Sequence, residues 1–231
     1  MFNMAKAFSC RAALFLFMLL LSQQASAWWN DKWPYRAPIT LDTSITGANI
    51  ESTQMDIPVL VRLHAGNFQD FFLLKEDMSD IRFVANDDKT PLKHAIEHVD
   101  LINQMIFIWV KVPQLTAGIA TEQLWMYYGN AEAVNAADAA AVYDAEQVLG
   151  LTFSPAEAPF ADKTAYASAV ENQGVTPQPA GLIAGAAKFE GNQFLHLQDS
   201  PALRMLPEKG MTFSAWIKPA SGQVDGVILD R

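Results

Sequence analysis

Cysteine is almost absent from this chain. Cys10 is the single cysteine, and none occurs in the sequence that follows it. Disulfides, cysteine-ligated metal sites and cysteine nucleophiles are therefore excluded beyond Cys10. A domain without disulfides depends on its hydrophobic core for stability.

Basic residues are scarce. The chain has 16 Lys and Arg against 25 Asp and Glu, a net charge of -9. Without Lys6 and Arg11, 14 basic residues remain and the net charge is -11. An acidic chain without basic clusters repels nucleic acid and anionic lipid, so we expect no nucleic-acid partner.

Long apolar runs are also missing. The run from Ala12 to Leu21 has ten residues, half of the roughly 20 needed to span a bilayer. Lys6 and Arg11 precede this run, and Ala25-Ser26-Ala27 follows it. The pattern predicts a secretory signal peptide over residues 1–27, cleaved after Ala27, and hence a periplasmic, extracellular or cell-surface protein. A retained membrane anchor is the alternative, against which the short run argues.

Residues 28–129 carry the alternation of apolar and polar side chains that is typical of β-strands. We predict a first β-sandwich domain here, with no membrane span in the mature chain. Phe68 to Leu74 is interpreted as a short helix or a packed loop. Strands are expected at Tyr35–Asp42, Ile57–Leu63, Asp80–Ala85, Met105–Val112 (stopped by Pro113) and Gln123–Tyr128.

Alanine dominates residues 130–146, and Gly and Pro are absent there. This composition predicts a partly helical connector. A second domain over 147–231 follows: a first strand at Val148–Phe153, a long loop over Ser154–Ala180, and a later strand over Phe213–Pro219.

Four motifs in order give the first domain a resemblance to a known family. They are Trp33-Pro-Tyr-Arg-Ala-Pro-Ile-Thr40, Asp80-Ile-Arg-Phe83, Trp109-Val-Lys-Val-Pro113 and Met126-Tyr-Tyr-Gly-Asn130. They resemble a bacterial domain of unknown function found in secreted envelope proteins. Some of those proteins end in a MotA/TolQ/ExbB-type proton-channel segment. The resemblance implies a role in a channel-linked transport or sensing assembly, although no such segment is present in this sequence.

The second domain resembles the start of a concanavalin-A-like (LamG-type) lectin/glucanase module. Phe189-Glu190-Gly191 and the Phe213–Pro219 stretch match the family's pattern. The resemblance implies an all-β protein in which an antiparallel β-sandwich is followed by an incomplete jelly roll. Because about 85 residues follow Glu146, we expect a truncated module that exposes an unpaired edge and an apolar face.

His94-Ala-Ile-Glu-His98 matches the inverted zinc-peptidase motif. On a helix, His94 and His98 would share one face and bind one Zn²⁺, with Glu97 as the base. On a strand, Glu97 would point away from both histidines. The family resemblance implies a strand, so we expect no metal here; Glu171, the nearest downstream third ligand, lies in a loop-like context.

Aromatic residues form the ligand-binding candidates. Phe107 and Trp109 share one face of their strand, and Trp125 and Tyr127 share one face of theirs. If the two strands are neighbours, these four rings would make a platform on which sugar rings stack. Burial of both faces is the alternative. Trp28, Trp29 and Trp33 are interpreted as a latch on the sandwich or as a sticky surface.

Acidic residues give weaker candidates. Asp80 and Arg82 are expected to form a structural ion pair or to contact a ligand. Asp199 and Asp225 are possible oxygen ligands of a structural Ca²⁺, although turn chemistry explains both. No strand carries the paired acids of the glucanases with this fold.

These observations predict a non-catalytic binding protein of the envelope, whose ligand is a glycan or an envelope protein. An enzyme is the alternative: a glycan hydrolase of concanavalin-like fold, or a zinc peptidase using His94, Glu97 and His98.

Overall fold

A computed structural model of the protein describes residues 28–154, 159–204, 210–223 and 225–230. The regular secondary structure of the described residues is mainly β-strand, with one short α-helix, α1 (Ala139–Val142), and two single-turn 3₁₀ helices. The strands are β1 (Tyr35–Leu41), β2 (Gln54–His64), β3 (Arg82–Ala85), β4 (Pro91–Leu92), β5 (His94–Asp100), β6 (Met105–Leu115), β7 (Glu122–Tyr128), β8 (Val170–Gln173), β9 (Thr176–Gln178), β10 (Ala186–Lys188) and β11 (Phe194–Leu197).

Two antiparallel sheets form the first unit. The first sheet has the strand order β1-β7-β3-β4, and the second has the order β2-β6-β5. The all-β antiparallel fold expected from the alternating sequence is therefore confirmed. The stretch Phe68–Leu74 contains the 3₁₀ helix Phe71–Leu73, which agrees with the expected short helix.

The core lies between the two sheets and follows the alternation of β6 and β7. Ile106, Ile108 and Val110 of β6 face it, and Leu124 and Met126 do so from β7. Each of these five side chains is at most 2% exposed. Burying an aliphatic side chain of this size stabilises the fold by about 1.5–3 kcal/mol, so this face dominates the stability of the unit.

Both prolines within the second sheet lie where a strand has one neighbour. Pro58 is in β2, an edge strand paired with β6 alone. The prediction that Pro113 ends β6 is wrong, since β6 continues to Leu115. β5 pairs with β6 no further than Val110, and a proline is tolerated where one side of a strand is open.

The connector covers the outer edge of β5. The main-chain amide of Asp138 donates to the carbonyl of His94 at 2.8 Å. Beyond the connector, the Ser154 hydroxyl donates to the carbonyl of Glu97 at 3.3 Å. The predicted helix in the connector is present as α1, whose Val142 is completely buried. α1 packs against β5 and β6, so the connector is docked on the sandwich.

The later part of the chain contains the hairpin β9–β10, which lies in sequence between the two strands of the antiparallel pair β8–β11. The long loop predicted over Ser154–Ala180 is therefore interrupted by β8 and β9. Val148–Phe153 forms one isolated bridge, from Leu151 to Asp162, in place of a strand. The stretch Phe213–Pro219 is exposed and is not assigned to a strand, because no neighbouring strand pairs with it among the described residues.

The predicted signal peptide, residues 1–27, lies outside the described residues. Within the part of the chain that the structure describes, no helix is long and apolar enough to cross a membrane.

Candidate binding surface

A row of three large side chains crosses the outer face of the first sheet. Tyr127 of β7 lies directly opposite Arg36 of β1 on one side and Arg82 of β3 on the other. Trp125, two residues before Tyr127, shares its face. Directly opposed and diagonal cross-strand neighbours are close enough for such long side chains to touch.

Arg36 is stacked between two indole rings. Its guanidinium carbon lies 4.1 Å from the centroid of the Trp125 ring and 4.8 Å from that of Trp28. These distances are within the range of cation–π attraction, worth about 0.5–2 kcal/mol each. The Arg36 side chain is 17% exposed. The stack therefore holds both tryptophans in fixed orientations.

Asp88 and Tyr127 complete the polar environment of Arg36. Arg36 donates to the Asp88 carboxylate and, at 3.0 Å, to the Tyr127 hydroxyl. The Tyr127 hydroxyl donates in turn to Asp88. Burial disfavours the charge on Arg36, but the bonds to Tyr127 and Asp88 outweigh it and raise its pKa. Burial, followed by the bond to Asp88, also raises the pKa of Tyr127.

The three N-terminal tryptophans pack over this row as a latch, which confirms the latch interpretation. The Trp28 indole Nε1 donates to the carbonyl of Trp33 at 2.8 Å. The Trp33 Nε1 donates to the carbonyl of Asp80 at 2.6 Å. The main-chain amide of Trp29 donates to the Tyr127 hydroxyl at 3.2 Å. We call the resulting set the aromatic layer: Trp28, Trp29, Trp33, Arg36, Arg82, Trp125 and Tyr127.

Three tryptophans of the aromatic layer are not fully buried. Trp28 is 41% exposed, Trp29 is half-buried, and Trp125 is half-buried beneath Arg36. Tyr127 and Trp33 are buried, so they support the exposed rings and offer no open face. The aromatic layer is therefore a surface of packed aromatic rings with the Arg36 guanidinium at its centre.

The four predicted platform residues do not lie together. Phe107 and Trp109 are on β6 in the second sheet, whereas Trp125 and Tyr127 are on β7 in the first. Each pair faces outward from its own sheet, so the core separates them. Phe107 is 8% exposed, with Arg62 over its ring at 5.8 Å, and the Nε1 atom of Trp109 is buried.

The H-x-x-E-H motif forms a strand with a bulge. Ile96 is opposite Ile108 and His98 is opposite Phe107, which makes Glu97 the extra residue. The bulge places His94 on the core side, 5.5 Å from the Phe83 ring, and His98 on the outer side, 6.2 Å from Phe107. The two imidazoles point to opposite faces and cannot share one Zn²⁺, so this geometry does not support the zinc-peptidase alternative.

Asp80 and Arg82 form hydrogen bonds with the backbone, and none of the hydrogen bonds of the described residues joins the two. The completely buried Asp80 carboxylate accepts from the amides of Lys75 at 3.1 Å and Gly129 at 2.8 Å. Arg82 donates to the carbonyls of Ser79, Ile81 and Val134. The expected ion pair between Asp80 and Arg82 is not among those that the described residues form.

In the described part of the chain, neither calcium candidate belongs to a group of three or more side chains that could hold a metal ion. Asp199 forms an ion pair with Arg204 at 3.2 Å, and the main-chain carbonyl of Asp225 accepts from Gln223. Glu171 on β8 accepts from the amide of Gln198.

Sequence reasoning missed Arg36 and Asp88, which organise the aromatic layer. Arg36 stands within the first motif, but its position opposite Tyr127 depends on a strand register that one sequence does not reveal. Asp88 has a φ of 55°, a left-handed conformation that Asp adopts in turns. The sequence Asn86-Asp87-Asp88, which is typical of a turn, was the signal that could have indicated this conformation of Asp88.

Comparison with known proteins extends over part of the chain. Residues 77–151 match the sequence model of a family described as a domain of unknown function (DUF2341). The matched stretch includes Asp88, Trp125 and Tyr127 of the site. No curated protein matches the chain, and no solved structure does. The proton-channel and concanavalin-like resemblances stay predictions.

Proposed function

We propose that this chain is an exported, non-catalytic binding protein of the cell envelope whose aromatic layer binds glycans. The observation that carries the proposal is the Trp28 ring. It is 41% exposed, yet it is fixed 4.8 Å from the Arg36 guanidinium and 5.3 Å, edge-on, from the Tyr127 ring. An exposed aromatic ring held this firmly suits stacking against the C–H face of a sugar.

Preorganisation is the physical reason that the aromatic layer favours binding. An indole ring that is already oriented loses little conformational entropy when a ligand stacks on it. Arg36 keeps its charge, because Asp88 and Tyr127 hold it by hydrogen bonds, and the cation fixes the two indole rings that stack on it. A partner protein is the alternative ligand.

The predicted signal peptide and the family resemblance give the proposal its setting. We propose that the protein acts in the periplasm or at the cell surface, as the periplasmic part of a TolQ/ExbB-like transport or sensing system. The proposal of a non-catalytic role rests on what the ionisable side chains of the site contact. In the aromatic layer, Asp88 is engaged by Arg36 and Tyr127, which is a structural role.

A glycan array with matched tryptophan variants tests the proposal. We expect the mature chain to bind glycans, and Trp125→Ala and Trp28→Ala to weaken binding by about two- to tenfold, since one aromatic stacking contact is worth about 0.5–1.5 kcal/mol. Trp216→Ala is the control, because Trp216 is 84% exposed and lies outside the layer. We expect it to bind as the wild type does.

Three results would overturn the proposal. Equal binding by all variants would remove the aromatic layer from the site. Binding of an envelope protein through the same tryptophans, with no glycan bound, would favour the alternative ligand. Shortened glycans after incubation would make the protein a hydrolase.

A further inference from the structure

The side chain of Arg82 connects three segments of the first unit. Its guanidinium carbon lies 5.0 Å from the centroid of the Trp33 ring, which belongs to the aromatic layer. The same guanidinium donates to the carbonyls of Ser79 at 2.8 Å and Ile81 at 2.7 Å, which precede β3. It also donates to the carbonyl of Val134 in the connector at 2.7 Å. Because a guanidinium is a rigid fork of donors, it fixes the ring and the three carbonyls relative to one another.

The start of the connector is also packed against the aromatic layer. The Ala133 carbonyl accepts from the Lys75 amine at 2.9 Å and from the Ser79 hydroxyl at 3.2 Å. The Ala133 side chain is buried in one cluster with Trp33 and Tyr127 of the layer. A movement of Trp33 would therefore disturb both Ala133 and the guanidinium that holds the residue after it.

The connector has a second anchor, on the other sheet. The main-chain amide of Asp138 donates to the His94 carbonyl of β5 at 2.8 Å, and the Asp138 carboxylate caps α1 by accepting from the Ala141 amide at 3.1 Å. Asp138 follows Val134 by four residues, which reach about 14 Å at most, whereas packed sheets lie about 10 Å apart. The connector has little slack between its anchors, so a displaced Val134 would pull on Asp138.

The tryptophan latch decides whether the exposed ring of the layer is in place. The Trp28 ring is held where it is because its Nε1 atom donates to the carbonyl of Trp33. A ligand that stacks on Trp28 therefore favours the closed latch. By linkage, the ligand also favours every contact that the closed latch supports, and the effect is reciprocal.

From these contacts we infer that Arg82 is a positioning residue that couples the aromatic layer to the connector. Ligand binding on Trp28 strengthens the docking of α1 on β5, and a docked connector raises the affinity of the aromatic layer for its ligand. The nature of the ligand rests on the proposed glycan binding, whereas the contacts that carry the coupling are those of the protein alone.

Amide hydrogen exchange of the mature chain, followed by NMR, tests the coupling without a ligand. We expect Arg82→Ala to speed exchange by about five- to tenfold at the latch amide of Trp29 and at the connector amides of Asp138 and Ala141, because the hydrogen bonds that hold both segments are lost. The amide of Ile108, in the buried middle of β6, should exchange as in the wild type.

Arg62→Ala is the matched control. Arg62 is an exposed arginine on the second sheet, and its guanidinium carbon lies 5.8 Å from the centroid of the Phe107 ring. This substitution also removes a cation from an aromatic ring, but it should leave the latch and connector amides unchanged. Uniform acceleration by Arg82→Ala, with Ile108 included, would mean that Arg82 only stabilises the fold and would overturn the inference.

Two further variants separate coupling from packing. Trp28→Ala should speed exchange at Asp138 by about twofold in the wild-type chain but not in the Arg82→Ala chain, where the link is already broken. Arg82→Lys keeps the cation but not the fork, so it should speed exchange at Asp138 while Trp29 exchanges as in the wild type. Additive effects of Trp28→Ala and Arg82→Ala on the Asp138 amide would contradict the coupling.

Titration with cellohexaose and with hexa-N-acetylchitohexaose separates this inference from the proposed function. A hexasaccharide that shifts the Trp28 indole signal should slow exchange at Asp138 in the wild-type chain and not in the Arg82→Lys chain. If it shifts Trp28 without slowing that exchange, the inference is overturned and the proposed function stands. If neither hexasaccharide binds while the variants behave as expected, the coupling stands and the proposed glycan ligand is in error.

Discussion

At the scale of single residues, buried polar groups decide how the first unit is tied together. Asp80 holds two loops through backbone amides, and Asp88 holds Arg36 and Tyr127. The sequence predicted that Asp80 and Tyr127 matter, but the partners expected for them, Arg82 for Asp80 and the Phe107–Trp109 pair for Tyr127, are not the ones they bond to. Alternation tells which face of a strand a side chain occupies, whereas its partners depend on register and on which strands are neighbours.

His94 gives the fold a pH dependence that can be measured. It is 2% exposed, and burial, aided by the charge of Arg82, lowers its pKa to about 4. The unfolded chain binds the proton with a pKa of about 6.5. Between these values the unfolded state carries more protons, so its stability relative to the fold rises as the pH falls.

We therefore expect the free energy of unfolding to be highest above pH 6.5 and to fall by about 3 kcal/mol on acidification to pH 4. Urea unfolding across this range measures the loss, and the change His94→Gln should flatten it. An NMR titration in which His94 protonates near pH 6.5 in the folded protein would contradict the assignment.

At the scale of elements, the strands were predictable and their grouping was not. The long apolar and aromatic runs at Met105–Val112 and Gln123–Tyr128 predicted β6 and β7, and both are present. The two strands lie in different sheets, so the expected platform does not form. The sequence could not show this, because period-two patterning carries no information on strand partners. The bulge at Glu97 was equally hidden, since it appears as a shift of pairing between β5 and β6.

The connector offers a matched pair of substitutions at this scale. Val142 is completely buried in α1, whereas Val134 in the same connector is 77% exposed. Val142→Asp would bury a charge without a partner, so we expect the connector to detach. Limited proteolysis should then cut residues 130–168 much faster, while residues 28–129 stay resistant.

Val134→Asp should leave the cleavage rate of the connector unchanged. Equal acceleration by both substitutions would mean that α1 does not dock on β5 and β6. We also expect residues 147–231 to be less stable than residues 28–129. Equal resistance of the wild-type chain to proteolysis on both sides of the connector would contradict this expectation.

At the scale of the whole molecule, stability is concentrated in the first unit. The large buried cluster lies between its two sheets. The later part of the chain exposes large apolar side chains, which marks interaction surfaces or association in water. They are Met211, Phe213, Trp216, Ile217, Val227, Ile228 and Leu229.

Substitution of two tryptophans compares the packing of the first unit with that of the later part of the chain. Trp33 is 7% exposed in the aromatic layer, and Trp216 is 84% exposed. We expect Trp33→Ala to lower the free energy of unfolding by about 3–5 kcal/mol, because it removes a buried aromatic side chain. Trp216→Ala should change it by about 0.5 kcal/mol or less. Urea unfolding checks both, and similar costs would mean that the later segment is packed.

Residue-specific NMR of the six tryptophan indole N–H groups during titration with an array-selected glycan tests the binding account most directly. The account predicts that the Trp28 and Trp125 signals shift together, with one affinity, while those of Trp109 and Trp216 stay in place. A glycan that binds without moving Trp28 and Trp125 would contradict it.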